Sequence, residues 1–382
     1  MSFERESVKI SRLSVAACAA LATLSLGLSS CAANEGGSDT PPAASGSGSG
    51  GGAGSLTGTL TGIGASSAAT AQETWAAAFQ TANPDVTVNY APEGSGAGRD
   101  AFTGGGADFA GSDRALTADE AAAGALGSSR CAEGSAAIDL PVYVSPIAVI
   151  YNLEGVDDLK LDAETVAGIF KGDIKTWNDP KIAALNKGAS LPSSNITAVH
   201  RADDSGTTEN FTDYLHVVAP DVWDAEADGE WPYEGGEAAP QTSGVVDAVT
   251  NGNGTIGYAD SSKAGDLGVA NIKVGKEYLP PTSEAAAAII DGSPRDTTGR
   301  SANDIVVTID RKAEGDVYPI VLLSYAIACE KYKDAAVAAK VKAYMSYIAS
   351  SEGQQEAVKT AKMAPLSEEL SGEVEAAAAK IS

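Results

Sequence analysis

The stretch "RADDSGTTENF" (201–211) sets one arginine, two aspartates and a hydroxyl-glycine turn directly ahead of an apolar helical pattern. Residues of these types suit an oxyanion. A guanidinium offers a fork of charge-assisted donors, and hydroxyls and glycine-exposed amides add neutral ones. The start of a helix contributes unpaired N–H groups and partial positive charge. Three further segments share the design: "TGIGASSAA" (61–69), "EGSGAGRD" (93–100) and "AGSDRAL" (110–116) each follow a strand-like stretch. Each also has a plainer reading. Ser205 or Asp204 would serve as an N-cap, "GSGAG" as a loop and Asp113 as a turn cap. Taken together, the four turns stand where α/β sheets bind ligands, beyond the carboxyl ends of strands.

The elements that would position these turns alternate between strand and helix. "VTVNY" (86–90) alternates apolar and polar residues, and "ADFAGS" (107–112) is a short apolar run before a turn. Helical periodicity appears at Phe211, Tyr214, Leu215 and Val218, and again at Val337, Val341, Tyr344, Met345 and Ile348. This alternation predicts α/β layers with largely parallel sheets. "IDLPVYVSPIAVIYN" (138–152) and "VYPIVLLSYAIAC" (317–329) are too long for ordinary single strands. Each is expected to pass between two lobes. Lobe I then holds 56–142 and 320–382, and lobe II holds 143–319.

A chain of 382 residues is long for a single core and agrees with two lobes. Its 51 acidic residues against 26 basic ones argue against nucleic acid and anionic lipid surfaces as partners. A small anion is still compatible, because charges beyond a Debye length of roughly 8 Å are screened. Enzymatic signals are weak. His200 and His216 are the only histidines, and no G-x-S-x-G elbow, Walker A loop, HExxH or CxxC occurs. A secreted phosphate-ester hydrolase stays open as an alternative, as does a receptor for sulfate or molybdate. Trp75, Trp177, Trp223 and Trp231 read as packing residues.

At the N-terminus, Lys9 and Arg12 precede the mostly apolar "LSVAACAALATLSLGLSS" (13–30), the layout of a secretory signal. "LSSC" (28–31) resembles the bacterial lipobox, which makes Cys31 the lipid-modified (palmitate-bearing) first residue of the mature chain. Residues 31–55 are Gly/Ser-rich and predict a flexible tether. Lipid at one end of that tether places the folded body at the extracytoplasmic face of a bacterial membrane. There Cys131 and Cys329 favour a disulfide over two free thiols.

"SLTGTLTGIGAS" (55–66), "EGSGAG" (93–98), "ADFAGSD" (107–113), "FKGDIKTWNDPKIAALN" (170–186), "HRADDSGTTENFTDYL" (200–215) and "GTIGYAD" (254–260) together carry a resemblance. From residue 56 to 366 the chain resembles the phosphate-binding lipoproteins of the bacterial phosphate-specific ABC transporter. The resemblance implies a two-lobe periplasmic-binding-protein fold of type II, hinged by two crossover segments and closing over one phosphate ion. It implies a monomer that is not an enzyme, needs no cofactor or metal, and delivers phosphate to an ABC permease. Carried over by position, Ser66 becomes a hydroxyl donor, Ser67 a main-chain donor and Ser95 a donor through both groups. Arg201 forms a charged fork steadied by Asp203, while Ser205, Gly206 and Thr207 donate from the helix start. Asp113 is the acceptor. Many family members carry Thr-Phe where this chain has Ser66-Ser67, so the hydroxyl is kept and the aromatic wall is lost. The carboxylate has a physical rationale. Phosphate at neutral pH still carries a hydrogen that Asp113 can accept, whereas sulfate would meet it oxygen to oxygen.

Overall fold

A computed structural model describes residues 56–382. The expected leader (1–30), the tether (31–55) and Cys31 lie outside the described residues. The folded part opens with β1 (Gly58–Gly64), α1 (Ala69–Ala82), β2 (Val86–Ala91), α2 (Ser95–Thr103) and β3 (Phe109–Ser112). The long strand β4 (Ala137–Asn152) follows, and then β5 (Thr197–Arg201), α3 (Gly206–Val218), β6 (Glu237–Ala239), α4 (Gln241–Asn251) and β7 (Thr255–Asp260). Near the C-terminus come β8 (Val321–Cys329) and α5 (Ala335–Ala349).

These strands lie in one curled sheet in the order β2-β1-β3-β8-β4-β7-β5-β6. Pairing is parallel between β1 and its neighbours β2 and β3, and again from β7 through β5 to β6. The centre is antiparallel. There β4 pairs with β8 along Ala137–Pro146 and with β7 along Ile147–Asn152. One strand thus serves both halves of a two-lobe α/β fold. This modifies the expectation of largely parallel sheets, because β8 returns beside the strand that left and must run against it.

The second long stretch is shorter than the sequence suggests. Its strand begins only at Val321, since Pro319 has no N–H to give to a ladder. All of β8 pairs on the β3–β4 side. Part of the middle segment also lies with that side. Ser283 Oγ donates to the Lys362 carbonyl at 2.8 Å, the Ile305 N–H to the Asp139 carbonyl at 2.9 Å, and Arg295 pairs with Glu373 at 3.1 Å. Cys131, in the segment ahead of β4, and Cys329, at the end of β8, are joined by a disulfide with Cα atoms 5.2 Å apart.

Two aromatic groups anchor the layers. Beneath β1 and β3, Tyr344 of α5 packs edge-on to Phe79 at 5.2 Å and tilted to Phe109 at 5.5 Å. Beneath β5 and α3, Phe211 stacks on Tyr258 at 4.3 Å, and Phe170 meets both. Trp75, Trp177 and Trp223 are fully buried, in keeping with packing roles, while Trp231 is half-buried against His200. Residues 170–186 form the end of one helix, a left-handed Gly172 cap and a second helix capped by Asp179. No helix among the described residues is long and apolar enough to cross a membrane.

Candidate anion-binding site

The parallel register of β1, β2 and β3 brings their carboxyl ends to one edge, with Gly64 beside Gly111 and Ile63 beside Ala91. From that edge the chain turns into Ser66-Ser67, Gly94-Ser95 and Asp113. On the other half of the sheet β5 ends at Arg201 and turns into α3. The first N–H groups of α1, α2 and α3, which lack intrahelical acceptors, stand at these turns. Two glycines permit the approach. Gly94 has φ of 108°, and a Cβ there would stand 2.6 Å from Asp203 Oδ2 and 3.6 Å from Arg201 Nη2. A Cβ on Gly206 would stand 2.8 Å from both Ser95 Oγ and the Asp113 Cβ.

Asp113 is 3% exposed and forms the centre of the cluster. Ser67 Oγ donates to its Oδ1 and Oδ2, both at 2.8 Å, and Thr207 Oγ1 donates to Oδ2 at 2.8 Å. The Asp113 N–H donates to Ser95 Oγ at 3.1 Å, and Asn210 Nδ2 reaches the Asp113 carbonyl at 2.7 Å. Burial pushes the Asp113 carboxyl above its ordinary range. The hydroxyls of Ser67, Thr207 and Ser324 and the charge of Arg201 hold it back only in part.

Arg201 is 3% exposed. Its Nε donates to Asp203 Oδ1 at 2.8 Å, and its Nη2 bonds Asp203 Oδ2. That bidentate contact uses one side of the guanidinium and leaves the Nη1–Nη2 edge to a ligand. The backbone beneath is tied down as well. The Arg201 N–H donates to the Tyr258 hydroxyl at 3.2 Å, which also bonds Thr208 Oγ1 at 2.7 Å. Ser205 is the N-cap of α3, its Oγ accepting from the Thr208 N–H at 3.3 Å.

The structure therefore brings Ser67, Ser95, Asp113, Gly206 and Thr207 to one point, with the Arg201–Asp203 pair beside Gly94. Two side chains are oriented differently from the positional reading. It is the Ser67 hydroxyl that meets Asp113, while Ser66 Oγ lies 3.0 Å from Thr242 Oγ1. Asp204 is partly exposed and does more than serve as a cap. It pairs with Arg99 at 3.0 Å, and its carbonyl accepts the Gly96 N–H at 3.2 Å. Arg99, Asn210 and Thr242 are thus partners that motif reading passed over. Arg99 was the most accessible of them, since it stands four residues after Ser95 on α2, and such spacing puts both on one helix face.

A second ion pair spans the same gap, Arg114 Nε to Glu209 at 3.2 Å. Burial raises the Glu209 carboxyl from 4.5 to about 7, and the charges of Arg114 and Arg99 offset only part of that rise. The folded chain then holds this proton more tightly than the unfolded chain. Its stabilising effect is full below pH 4.5 and is lost as the pH climbs through about 7. Glu209→Gln is expected to gain urea resistance relative to wild type across that interval. Parallel unfolding midpoints for the two proteins at every pH would contradict this.

His200 directs its ring nitrogens at the Arg201 and Gly235 carbonyls, at 2.9 and 3.2 Å. Among the described residues no group of His, Cys, Asp and Glu could hold a metal ion.

Comparison with known proteins shows the family. Residues 43–352 match the family described as the PBP superfamily domain. The chain is 40% identical over 289 residues to "Phosphate-binding protein PstS 3" of Mycobacterium tuberculosis, covering 74% of this chain and 76% of that one. It is 28% identical over 313 residues to "Phosphate-binding protein PstS" of Xylella fastidiosa, covering 79% and 78%. Among solved structures, a high-affinity periplasmic phosphate-binding protein (PfluDING) bound with phosphate superposes with a TM-score of 0.67. That match has 23% identity and covers 83% of this chain and 93% of the other. By sequence and by architecture, the chain belongs to the PstS phosphate-binding proteins of the PBP superfamily.

Proposed function

We propose that the protein is an extracytoplasmic receptor for inorganic phosphate that serves an ABC importer. The observation carrying this reading is a buried carboxylate, Asp113, ringed by hydroxyl donors at the meeting point of helix starts and beside an oriented arginine. Burying an anion is costly unless donors replace its hydration shell. Here Ser95 and Thr207, the free amides of Ser67, Gly206 and Thr207, and the open edge of Arg201 supply them. Asp113 accepts the hydrogen that phosphate retains. The Ser67 and Thr207 hydroxyls, which lie on Asp113 in this structure, need only rotate to turn toward the ion.

The two halves of the sheet act as lobes that close by bending about the β4 crossing. Cys31 carries lipid, and the Gly/Ser-rich tether holds the monomeric body at the outer face of the cell membrane. Calorimetric titration of residues 56–382 with phosphate, sulfate and molybdate tests the reading, together with an assay on a phosphate monoester. Tight binding of phosphate alone without turnover is expected. Preference for sulfate or molybdate, or release of phosphate from the ester, would replace it.

A further inference from the structure

The segment Ala239-Pro240-Gln241-Thr242 joins β6 to α4, and no motif reading singled it out. Gln241 has φ of 59°; among the described residues the other non-glycine with positive φ is Lys362, at 51°. Lys362 is a helix C-cap, where a left-handed residue is ordinary. Gln241 instead begins a helix, where that conformation is costly for a side chain with a Cβ.

Its backbone aims two consecutive amides. The Gln241 N–H donates to Asp203 Oδ1 at 2.9 Å, and the Thr242 N–H donates to Ser66 Oγ at 3.1 Å. The Ala202 N–H, bonded to the Ala239 carbonyl at 2.9 Å, pins the segment to the end of β5. Asp203 consequently accepts from Nε and Nη2 of Arg201 and from Gln241. A carboxylate gripped from two elements fixes the direction of the arginine's open edge.

Ser66 belongs to the opposite half of the sheet, in the turn between β1 and α1. Its oxygen accepts the Thr242 amide and lies 3.0 Å from Thr242 Oγ1. When Thr242 donates its hydroxyl as well, both acceptor positions of Ser66 are filled. The Ser66 hydrogen is then free to turn into the cleft. A further contact between the halves lies along the same rim, from Lys263 Nζ to Thr70 Oγ1.

We propose that Gln241-Thr242 is a closure clasp: Thr242 grips Ser66 to hold the lobes shut, and the strained Gln241 backbone orients Arg201 through Asp203. Both act as positioning residues and neither touches the ion. The ligand in this proposal rests on the phosphate reading, whereas the grip between lobes does not.

Stopped-flow release of phosphate and calorimetry test the clasp. Thr242→Val keeps shape and amide but removes the hydroxyl, and is expected to speed phosphate release about threefold to tenfold with association unchanged. Thr242→Ser is expected to restore the wild-type rate. Ser66→Ala combined with Thr242→Val is expected to release no faster than Ser66→Ala alone. Gln241→Gly, which keeps the N–H and adopts this φ without strain, is expected to retain affinity, and a loss of affinity there would overturn the orienting role. Wild-type release from Thr242→Val, no rescue by serine, or independent effects of Ser66 and Thr242 would overturn the proposal. Should wild type bind no phosphate, the receptor reading fails and the clasp is judged by X-ray scattering of the protein alone. A larger radius of gyration for Thr242→Val than for Thr242→Ser then supports it, and equal radii overturn it.

Discussion

Replacing Arg201 with alanine is expected to weaken phosphate binding by roughly thirtyfold to several-thousandfold, and to weaken every other oxyanion with it. Removing one partner of a buried charged pair costs about 2–5 kcal/mol, and each 1.4 kcal/mol is about a factor of ten. Two losses combine here. The anion loses its charged fork, and the half-buried Asp203 keeps only the Gln241 N–H of the donors it now has. Arg201→Lys should fall between the two. An ammonium keeps the charge but is a point donor, so it cannot face Asp203 bidentately and present a second edge to the ion. Calorimetry with phosphate measures the effect, and wild-type affinity in the alanine variant would remove Arg201 from the site.

Asp113→Asn is expected to change selectivity more than affinity. In wild type, sulfate brings no hydrogen to the carboxylate, and an unpaired buried acceptor costs about 1–3 kcal/mol, more when charged. Asparagine can turn its amide toward sulfate, so rejection should relax by about tenfold to a few-hundredfold, while phosphate still finds the remaining donors. The pH dependence supplies a separate readout. Because burial raises the Asp113 carboxyl, acid solution protonates it earlier than an exposed aspartate, and a protonated Asp113 can donate to sulfate. Sulfate binding to wild type should therefore strengthen as the pH falls toward that raised value, and the asparagine variant should lack this trend. Unchanged phosphate-to-sulfate ratios across both proteins would deprive Asp113 of its discriminating role.

These experiments bear on a site whose outline was legible early. Turns of Gly, Ser and Thr between strand and helix patterns mark positions where backbone amides are exposed, and that chemistry is local. The Arg201–Asp203 contact was also within reach, because two residues at the end of one strand cannot be far apart. The Ser66–Ser67 assignment was harder. Which of two adjacent hydroxyls faces a carboxylate is decided by the roll of the chain as it leaves β1, and the composition of the turn does not specify it. The Glu209–Arg114 and Asp204–Arg99 pairs join residues about a hundred positions apart, and nothing near either one announces the other.

Periodicity and turn chemistry alone determined the α/β class, the helices under Phe211 and Tyr344, and the identity of the four turns that meet around Asp113. These properties depend on neighbours within a few residues, so they are written in local order. Only the tertiary structure decided that β4 is shared between the two halves, that β8 starts after Pro319, and that residues 283–307 lie against the first half. It alone set Gln241 in a left-handed conformation beneath Asp203 and placed Thr242 on Ser66. Those features arise where distant segments meet and satisfy each other's polar groups, and that matching exists only once the chain has closed on itself.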